Sequence, residues 1–270
     1  MSNSRFLSLV LFVSSFFAIA QQPATSGETV KKALDQKQAM TKSSLVKNVP
    51  FKNIGPTIMS GRVVDLDVNP DMPSEFYVGY ASGGVWHTTN NGTTFTPILD
   101  SSDTQNVGDI AVHWPTRTIY VGTGENNASR SSYAGIGILK STDNGKSWTN
   151  LGLMDAHHFA PILIHPDNPD VVVVGATGHL YSANEERGVY KTTDGGKTWK
   201  QTLFVDNMSG IIDLQHSPSN YNVMFATSWT KDRKAWNFTG NGNNSGIYKS
   251  TDAGETWTKI STEKSGFPTG

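Results

Sequence analysis

One octapeptide recurs along this chain at a nearly constant interval. Ser141-Thr-Asp-Asn-Gly-Lys-Ser-Trp148 returns as Thr192-Thr-Asp-Gly-Gly-Lys-Thr-Trp199 and as Ser250-Thr-Asp-Ala-Gly-Glu-Thr-Trp257. A degraded copy, Thr88-Thr-Asn-Asn-Gly-Thr-Thr-Phe95, comes first. The glycines at their centres, Gly92, Gly145, Gly196 and Gly254, are 53, 51 and 58 residues apart. Self-similarity at such a period restricts the chain to a ring or stack of one small unit, because a single unit cannot bury its apolar face alone.

The flanks of the octapeptide define that unit. A short β-rich run precedes each copy (Gly84 to His87, Gly137 to Lys140, Gly188 to Lys191, Gly246 to Lys249), and the closing Trp or Phe opens another. Two apolar-alternating runs around Asp or Asn and Gly predict a β-hairpin, with the Ser/Thr and Asp bonding local N–H groups and the Gly taking positive φ. The closing aromatic is too large to leave in water and is expected to be largely buried between neighbouring sheets. Two further strands lie upstream in each period, for example Val63 to Val68 and Glu75 to Gly79. Four antiparallel strands per period of about 50 residues predict an all-β fold, a β-propeller of four-stranded blades. Strands run A to D from the axis outward, in blades at about residues 60–100, 107–152, 159–204 and 209–262.

Three of the four octapeptides fit Ser/Thr-x-Asp-x-Gly-x-x-Trp throughout. The pattern resembles the Asp-box, or BNR, repeat of sialidases, sortilin-type receptors, xyloglucan-cleaving glycoside hydrolases and a photosystem assembly factor. Those families do unrelated things, so the likeness speaks to fold more than to activity. With Ser60-Gly-Arg62, Gly122-Thr-Gly-Glu125 and Arg187-Gly-Val-Tyr190, the run most resembles secreted bacterial proteins with a sortilin-type propeller, many of them labelled glycosyl hydrolases.

Residues 1–20 read as a secretory signal peptide: Arg5, an apolar stretch from Phe6 to Ile19, and Ala18-Ile-Ala20 for cleavage. This places the protein outside the cell or in a bacterial envelope, without membrane insertion after cleavage. A secreted chain with no cysteine rests on its core instead of disulfides. A net charge of −1 gives no general attraction to nucleic acid. Residues 21–50 lack the blade pattern and are expected to be a linker; a thin apolar stripe over Glu28 to Met40 offers a helix as the alternative. Residues 51–270 form the propeller. Phe51-Lys-Asn-Ile54 copies the D-strand signature of Phe95-Thr-Pro-Ile98 without its own A, B and C strands. It is therefore expected to be an orphan outer strand for a further blade, the chain being an N-terminal portion of a larger propeller.

In this topology the D–A and B–C connections emerge together around the axis, whereas the Asp-boxes join C to D on the outer rim. The box residues Asp143, Gly145, Trp148, Asp194, Gly196, Trp199, Asp252, Gly254 and Trp257 are thus expected to be structural. Candidate ligand-binding residues come from the axial loops: Arg62, Glu125, Arg130, His157, His158, Trp229 and Trp236. Long loops on a rigid scaffold are where binding groups concentrate, and Trp beside Arg suits a sugar or a peptide. The same residues have a plainer reading. Glu125 and Arg130 would pair with each other or with Arg62, His157 and His158 would be a satisfied loop pair with no metal, and the tryptophans would cover their own loop.

Glycoside hydrolysis needs two carboxylates across one cleft. The xyloglucan-cleaving family carries an acid in a first-blade stretch resembling Tyr-x-x-Thr-Asp-x-Gly-Gly-x-Tyr. This chain has Tyr77-Val-Gly-Tyr-Ala-Ser-Gly-Gly-Val-Trp86, with Ala81 at the acid's place. Nor is there an Arg-Ile-Pro of the sialidase kind near the first blade. The resemblance therefore implies a non-catalytic propeller that needs no cofactor and binds an extracellular peptide, protein or polysaccharide. A hydrolase with Glu125 as one of its two acids is the alternative.

Overall fold

The computed structural model describes residues 23–50, 61–127 and 132–267. The signal-peptide region, the orphan strand at 51–54 and Arg130 lie outside them. The four predicted repeats are four four-stranded antiparallel sheets, each a meander in sequence order. Blade one comprises β1 (Val63–Val68), β2 (Phe76–Tyr80), β3 (Gly84–Thr88) and β4 (Thr96–Pro97). Blade two comprises β5 (Val107–His113), β6 (Thr118–Thr123), β7 (Ile138–Ser141) and β8 (Thr149–Asn150). Blade three comprises β9 (Phe159–His165), β10 (Asn168–Ala176), β11 (Gly188–Thr192) and β12 (Lys200–Leu203). Blade four holds β13 (Ser209–Ser217), β14 (Asn220–Thr230), β17 (Gly246–Ser250) and β18 (Thr258–Lys259), with a ribbon of β15 (Asp232–Arg233) and β16 (Phe238–Thr239) in its longest loop.

Each Asp-box closes its hairpin through the same local net. Ser141 Oγ donates to Asp143 Oδ1 at 2.7 Å and accepts from the Gly145 N–H, while Ser147 donates to Asp143 through both its N–H and its hydroxyl. The boxes at Asp194 and Asp252 repeat it. Asn90 serves the degraded box, its amide oxygen replacing the carboxylate. The Ser147 bonds hold Asp143 down to about 2, well below the usual carboxylate range. Gly145 has φ 83°, and an added Cβ would sit 2.7 Å from Ile98 Cδ1; glycine is required on both counts.

Trp148, Trp199 and Trp257 are only half-buried, less than expected. Each packs on the apolar cluster between its own blade and the preceding one. Its indole N–H reaches back to that blade's outer strand region: Trp148 to the Ile98 carbonyl, Trp199 to the Leu151 carbonyl and Trp257 to Thr202 Oγ1. The outer strands are two residues long in three blades, too short to cover the far edge of an indole.

Consecutive blades pack along their innermost strands, over clusters such as Tyr120, Phe159, Ile162 and Val174 between blades two and three. Carboxylates rivet these contacts. Asp65 accepts from the Ile110 N–H, Asp67 from the Val112 N–H and Trp114 Nε1, and Asp109 from the Ile162 N–H. Burial raises all three acids above the usual carboxylate range, so each bond counts as an ordinary satisfied one, worth roughly 0.5–1.5 kcal/mol.

Within the segment expected to be a linker, residues Gly27–Ser43 form a helix, α1, capped by Ser26. Its first turn docks through the Gly27 N–H, which donates to Asp155 Oδ1 at 2.6 Å, and Lys37 further along donates to Asp103 Oδ1 at 2.8 Å, while most of the helix is exposed. Both contacts are polar, in keeping with the thin apolar stripe. No helix among the described residues is long and apolar enough to cross a membrane.

Candidate functional site

The innermost ends of the blades bring four of the seven sequence-predicted residues together. Arg62, just before β1, donates from Nε and Nη2 to the two oxygens of Glu125, which follows β6, at 2.7 and 2.5 Å. Glu125 is 1% exposed and also accepts from Asn127 Nδ2. His158, just before β9, donates from Nδ1 to the Glu125 carbonyl at 2.7 Å, which fixes its tautomer. His157 stacks on His179 with ring centroids 3.9 Å apart. Arg62, Glu125, His158, His157 and His179 therefore form one continuous line across three blades.

The line continues into blade four through Lys231, whose ammonium lies 3.3 Å from the His179 carbonyl. Burial pushes Lys231 down to about 7, and the charges of Arg187 and Arg233 add to the effect. Burial also lowers His158 to about 3, with Lys231 contributing, and His179 to about 4. His157 is lowered for the same first reason. All three imidazoles are neutral at neutral pH. His179 donates from Nε2 to the Asp155 carbonyl and faces the Ser182 hydroxyl through Nδ1. His179 and Lys231 were visible in the B–C loops, and only the geometry singles them out from their neighbours there.

Arg187 is buried among carbonyls. Nη1 donates to Thr177 O, and Nη2 to the carbonyls of His179 and Ser182. It shapes the blade-three loop from within, and an added Cβ on Gly178 would strike its side chain. Beside this line opens a cleft of about 680 Å³ lined by His157, His158, His179, Tyr181 and Lys234, together with Pro23 to Thr25 of the N-terminal segment. The Thr25 carbonyl lies 3.3 Å from His157 Nε2, so the chain's own backbone occupies one wall.

The two tryptophans part company. Trp229 donates its indole N–H to the Gly240 carbonyl and packs edge-on against Phe238, closing the ribbon loop on itself. Trp236, at the tip of that loop, is 84% exposed. Ala81 is buried at the start of the β2–β3 turn, its N–H bonded to the Arg62 carbonyl. Among the described residues no group of three His, Cys, Asp or Glu side chains is placed to hold a metal ion.

Residues 137–268 match the family model Sortilin-Vps10, described as sortilin, neurotensin receptor 3. The xyloglucanase Xgh74A of Acetivibrio thermocellus is 30% identical over 260 residues, a match covering 78% of this chain and 27% of that protein. An ancestral GH74 enzyme superposes with a TM-score of 0.54 at 20% identity, over 78% of this chain and 25% of the other. The GH74 xyloglucanase from Xanthomonas campestris gives 0.54 at 14% identity, over 79% and 32%. The chain spans 27% of the length of the curated relative it matches. It is a BNR-type β-propeller, similar both to sortilin-type and to GH74 proteins.

Proposed function

We propose that the axial face of this propeller binds an extracellular peptide, protein or glycan and performs no hydrolysis. One observation carries the reading. Glu125, the loop carboxylate best placed for acid–base work, is buried and clamped by both donors of Arg62. Both of its oxygens are taken up by that guanidinium, so neither faces a position where a substrate would sit, and the aligned first-blade position is Ala81. The axial cleft, the neutral histidines and the exposed rings of Tyr181 and Trp236 provide a shaped, mixed surface of the sort that captures ligands. The signal-peptide pattern, together with the absence of cysteine, supports export as the setting.

The test pairs two assays on the purified mature chain. Reducing ends released from xyloglucan should not exceed a blank. Retention on immobilised xyloglucan and on an arrayed peptide library should reveal a ligand whose binding falls at least tenfold in Trp236→Ala and Tyr181→Ala, with the thermal transition unchanged. Turnover abolished by Glu125→Gln would establish the hydrolase alternative in its place, built on the relative that is called a xyloglucanase.

A further inference from the structure

The loop joining blade two to blade three meets the N-terminal segment at two points that are spaced alike on both sides. His157 Nε2 lies 3.3 Å from the Thr25 carbonyl, which can only accept, and Asp155 Oδ1 accepts from the Gly27 N–H at 2.6 Å. Two loop residues two apart thus read a carbonyl and an N–H two apart. Neither bond uses a side chain of the segment, so what is read there is main chain. Ser26 between them is occupied with its own helix, its Oγ accepting from the Thr29 N–H and its carbonyl from the Val30 N–H. The Gly27 N–H is one of the first-turn donors a helix cannot satisfy itself, and Asp155 supplies its acceptor. Pro23, Ala24 and Thr25 continue along the cleft wall.

The loop is held rigid from behind. His157 has φ 61° and ψ −40°, and the His158 N–H bonds back to the Ala156 carbonyl at 2.7 Å, a γ-turn of the rare, strained hand. The His157 carbonyl accepts from the Gly135 N–H at 2.7 Å and the His158 carbonyl from the Thr177 N–H at 2.9 Å. The Asp155 carbonyl accepts from His179 Nε2 at 2.9 Å. Blades two and three therefore fix the loop's main chain, while the Asp155 carboxylate and the His157 ring face the segment. The fit also selects a residue. An added Cβ on Gly27 would lie 2.6 Å from Asp155 Oδ2 and 2.9 Å from Met154 Cβ. The carboxylate could swing aside, but a Cβ attached to the fixed main chain could not. Gly27 has no positive φ, so space and not backbone conformation demands the glycine.

We propose that this loop and the cleft beside it recognise the main chain of an extended, glycine-bearing peptide, and that residues 23–27 are a built-in occupant which an incoming peptide displaces. This rests on the binding role proposed for the axial face and narrows its ligand to a peptide. The glycine is the one side-chain requirement the loop imposes; the carbonyl two residues before it and its own N–H supply the two bonds. The hold on the occupant is light. The bond to Asp155 is short and charge-assisted, whereas the one from His157 is longer than an ordinary hydrogen bond. Tethering still lets the occupant exclude weak competitors, because a short flexible link gives an effective concentration on the order of millimolar. A free peptide with a Kd of about 100 μM for the empty cleft would bind the native chain about tenfold more weakly.

The experiment uses the purified chain, its Gly27→Leu variant and a fluorescein-labelled peptide, Pro-Ala-Thr-Ser-Gly-Glu-Thr-Val-Lys, copied from residues 23–31. Leucine at the start of α1 suits a helix better than glycine, so the substitution expels the occupant without other cost to the chain. Fluorescence anisotropy should find the peptide bound to Gly27→Leu at least about tenfold more tightly than to the native chain. A peptide with leucine in place of its glycine should bind neither, and one with N-methylglycine there, which lacks the N–H, should bind Gly27→Leu far more weakly. Asp155→Ala added to Gly27→Leu should weaken the parent peptide likewise, with the thermal transition as the check on folding. Equal affinity of the native and Gly27→Leu chains, or no binding to Gly27→Leu, would overturn the proposal. Binding indifferent to the peptide's glycine would overturn it as well, and the two altered peptides test this without any change to the protein. Trp236→Ala and Tyr181→Ala probe outside ligands, so the wider binding role and this narrower one fail separately.

Discussion

Glu75 is the buried carboxylate on which the joint between blades one and two is most exposed to perturbation. Oε1 accepts from Arg117 Nη1 and His87 Nε2; Oε2 accepts from Arg117 Nη2 at 3.0 Å and Asn69 Nδ2 at 2.8 Å. All four partners are donors. Glu75→Gln keeps the shape but presents an amide N–H to two of them and removes the charge facing Arg117. The Arg117 bonds, with those of Asn69 and His87 against the cost of burial, hold Glu75 down to about 2 from 4.5. That difference corresponds to about 3 kcal/mol of stability at neutral pH. Arg117 is partly exposed, which screens its share, so a loss of about 2–3 kcal/mol is expected for the variant.

The pH dependence separates this from a packing defect. A depressed carboxylate contributes fully above its unfolded value of 4.5 and loses that contribution as pH falls through about 2. Urea denaturation followed by tryptophan fluorescence should therefore show a gap between native protein and Glu75→Gln that is full at about pH 7 and roughly halved at about pH 3. A gap independent of pH would refute the electrostatic origin. A gap below about 0.5 kcal/mol at neutral pH would mean that the four bonds are worth no more than their hydrated counterparts.

Two further perturbations probe the same joints. An added Cβ on Gly122 would sit 2.8 Å from Phe159 Cβ, whereas one on Gly79 would meet Val107 Cγ1 at 3.3 Å; Gly122→Ala should cost about 1–3 kcal/mol in chemical denaturation and Gly79→Ala clearly less, and the reverse order would refute the packing account. Burial raises Asp67 to about 6 against its N–H partners Trp114 and Val112, so its contribution is present below about 4 and lost as pH climbs through about 6. Asp67→Asn should flatten the stability profile across that window, and an unchanged slope would place the titration elsewhere.

The octapeptide made the blades legible because the device it encodes is local. Ser141, Asp143, Gly145 and Ser147 satisfy one another within a single turn, so their spacing carries the geometry without help from distant residues. The axial residues are the opposite case. Sequence alone could name Arg62, Glu125, His157 and His158 as neighbours at the axis, because strand direction fixes which loops meet there. It could not show that Arg62 takes both oxygens of Glu125, since a loop side chain's direction depends on partners tens of residues away. Trp229 and Trp236 stood together for the same reason, and only the β15–β16 ribbon separates the one that folds inward from the one that does not.

The blades also differ where the repeat is weakest, and the differences lie at the axis. Blade three has Pro161 where Asp65 and Asp109 stand, so it cannot offer the acid rivet to blade four. The joint there depends on close apolar contact instead: an added Cβ on Gly175 would lie 2.9 Å from Ile211 Cγ2, and Thr177 Oγ1 donates to the Ile211 carbonyl. The same blade carries His179, the carbonyl-bound Arg187 and one wall of the cleft. A rim net repeated in every blade can tell no blade from another, and so cannot specify a ligand. On the proposed reading, specificity has to come from positions the repeat does not share, and in this chain those positions gather around blades two to four at the axial end.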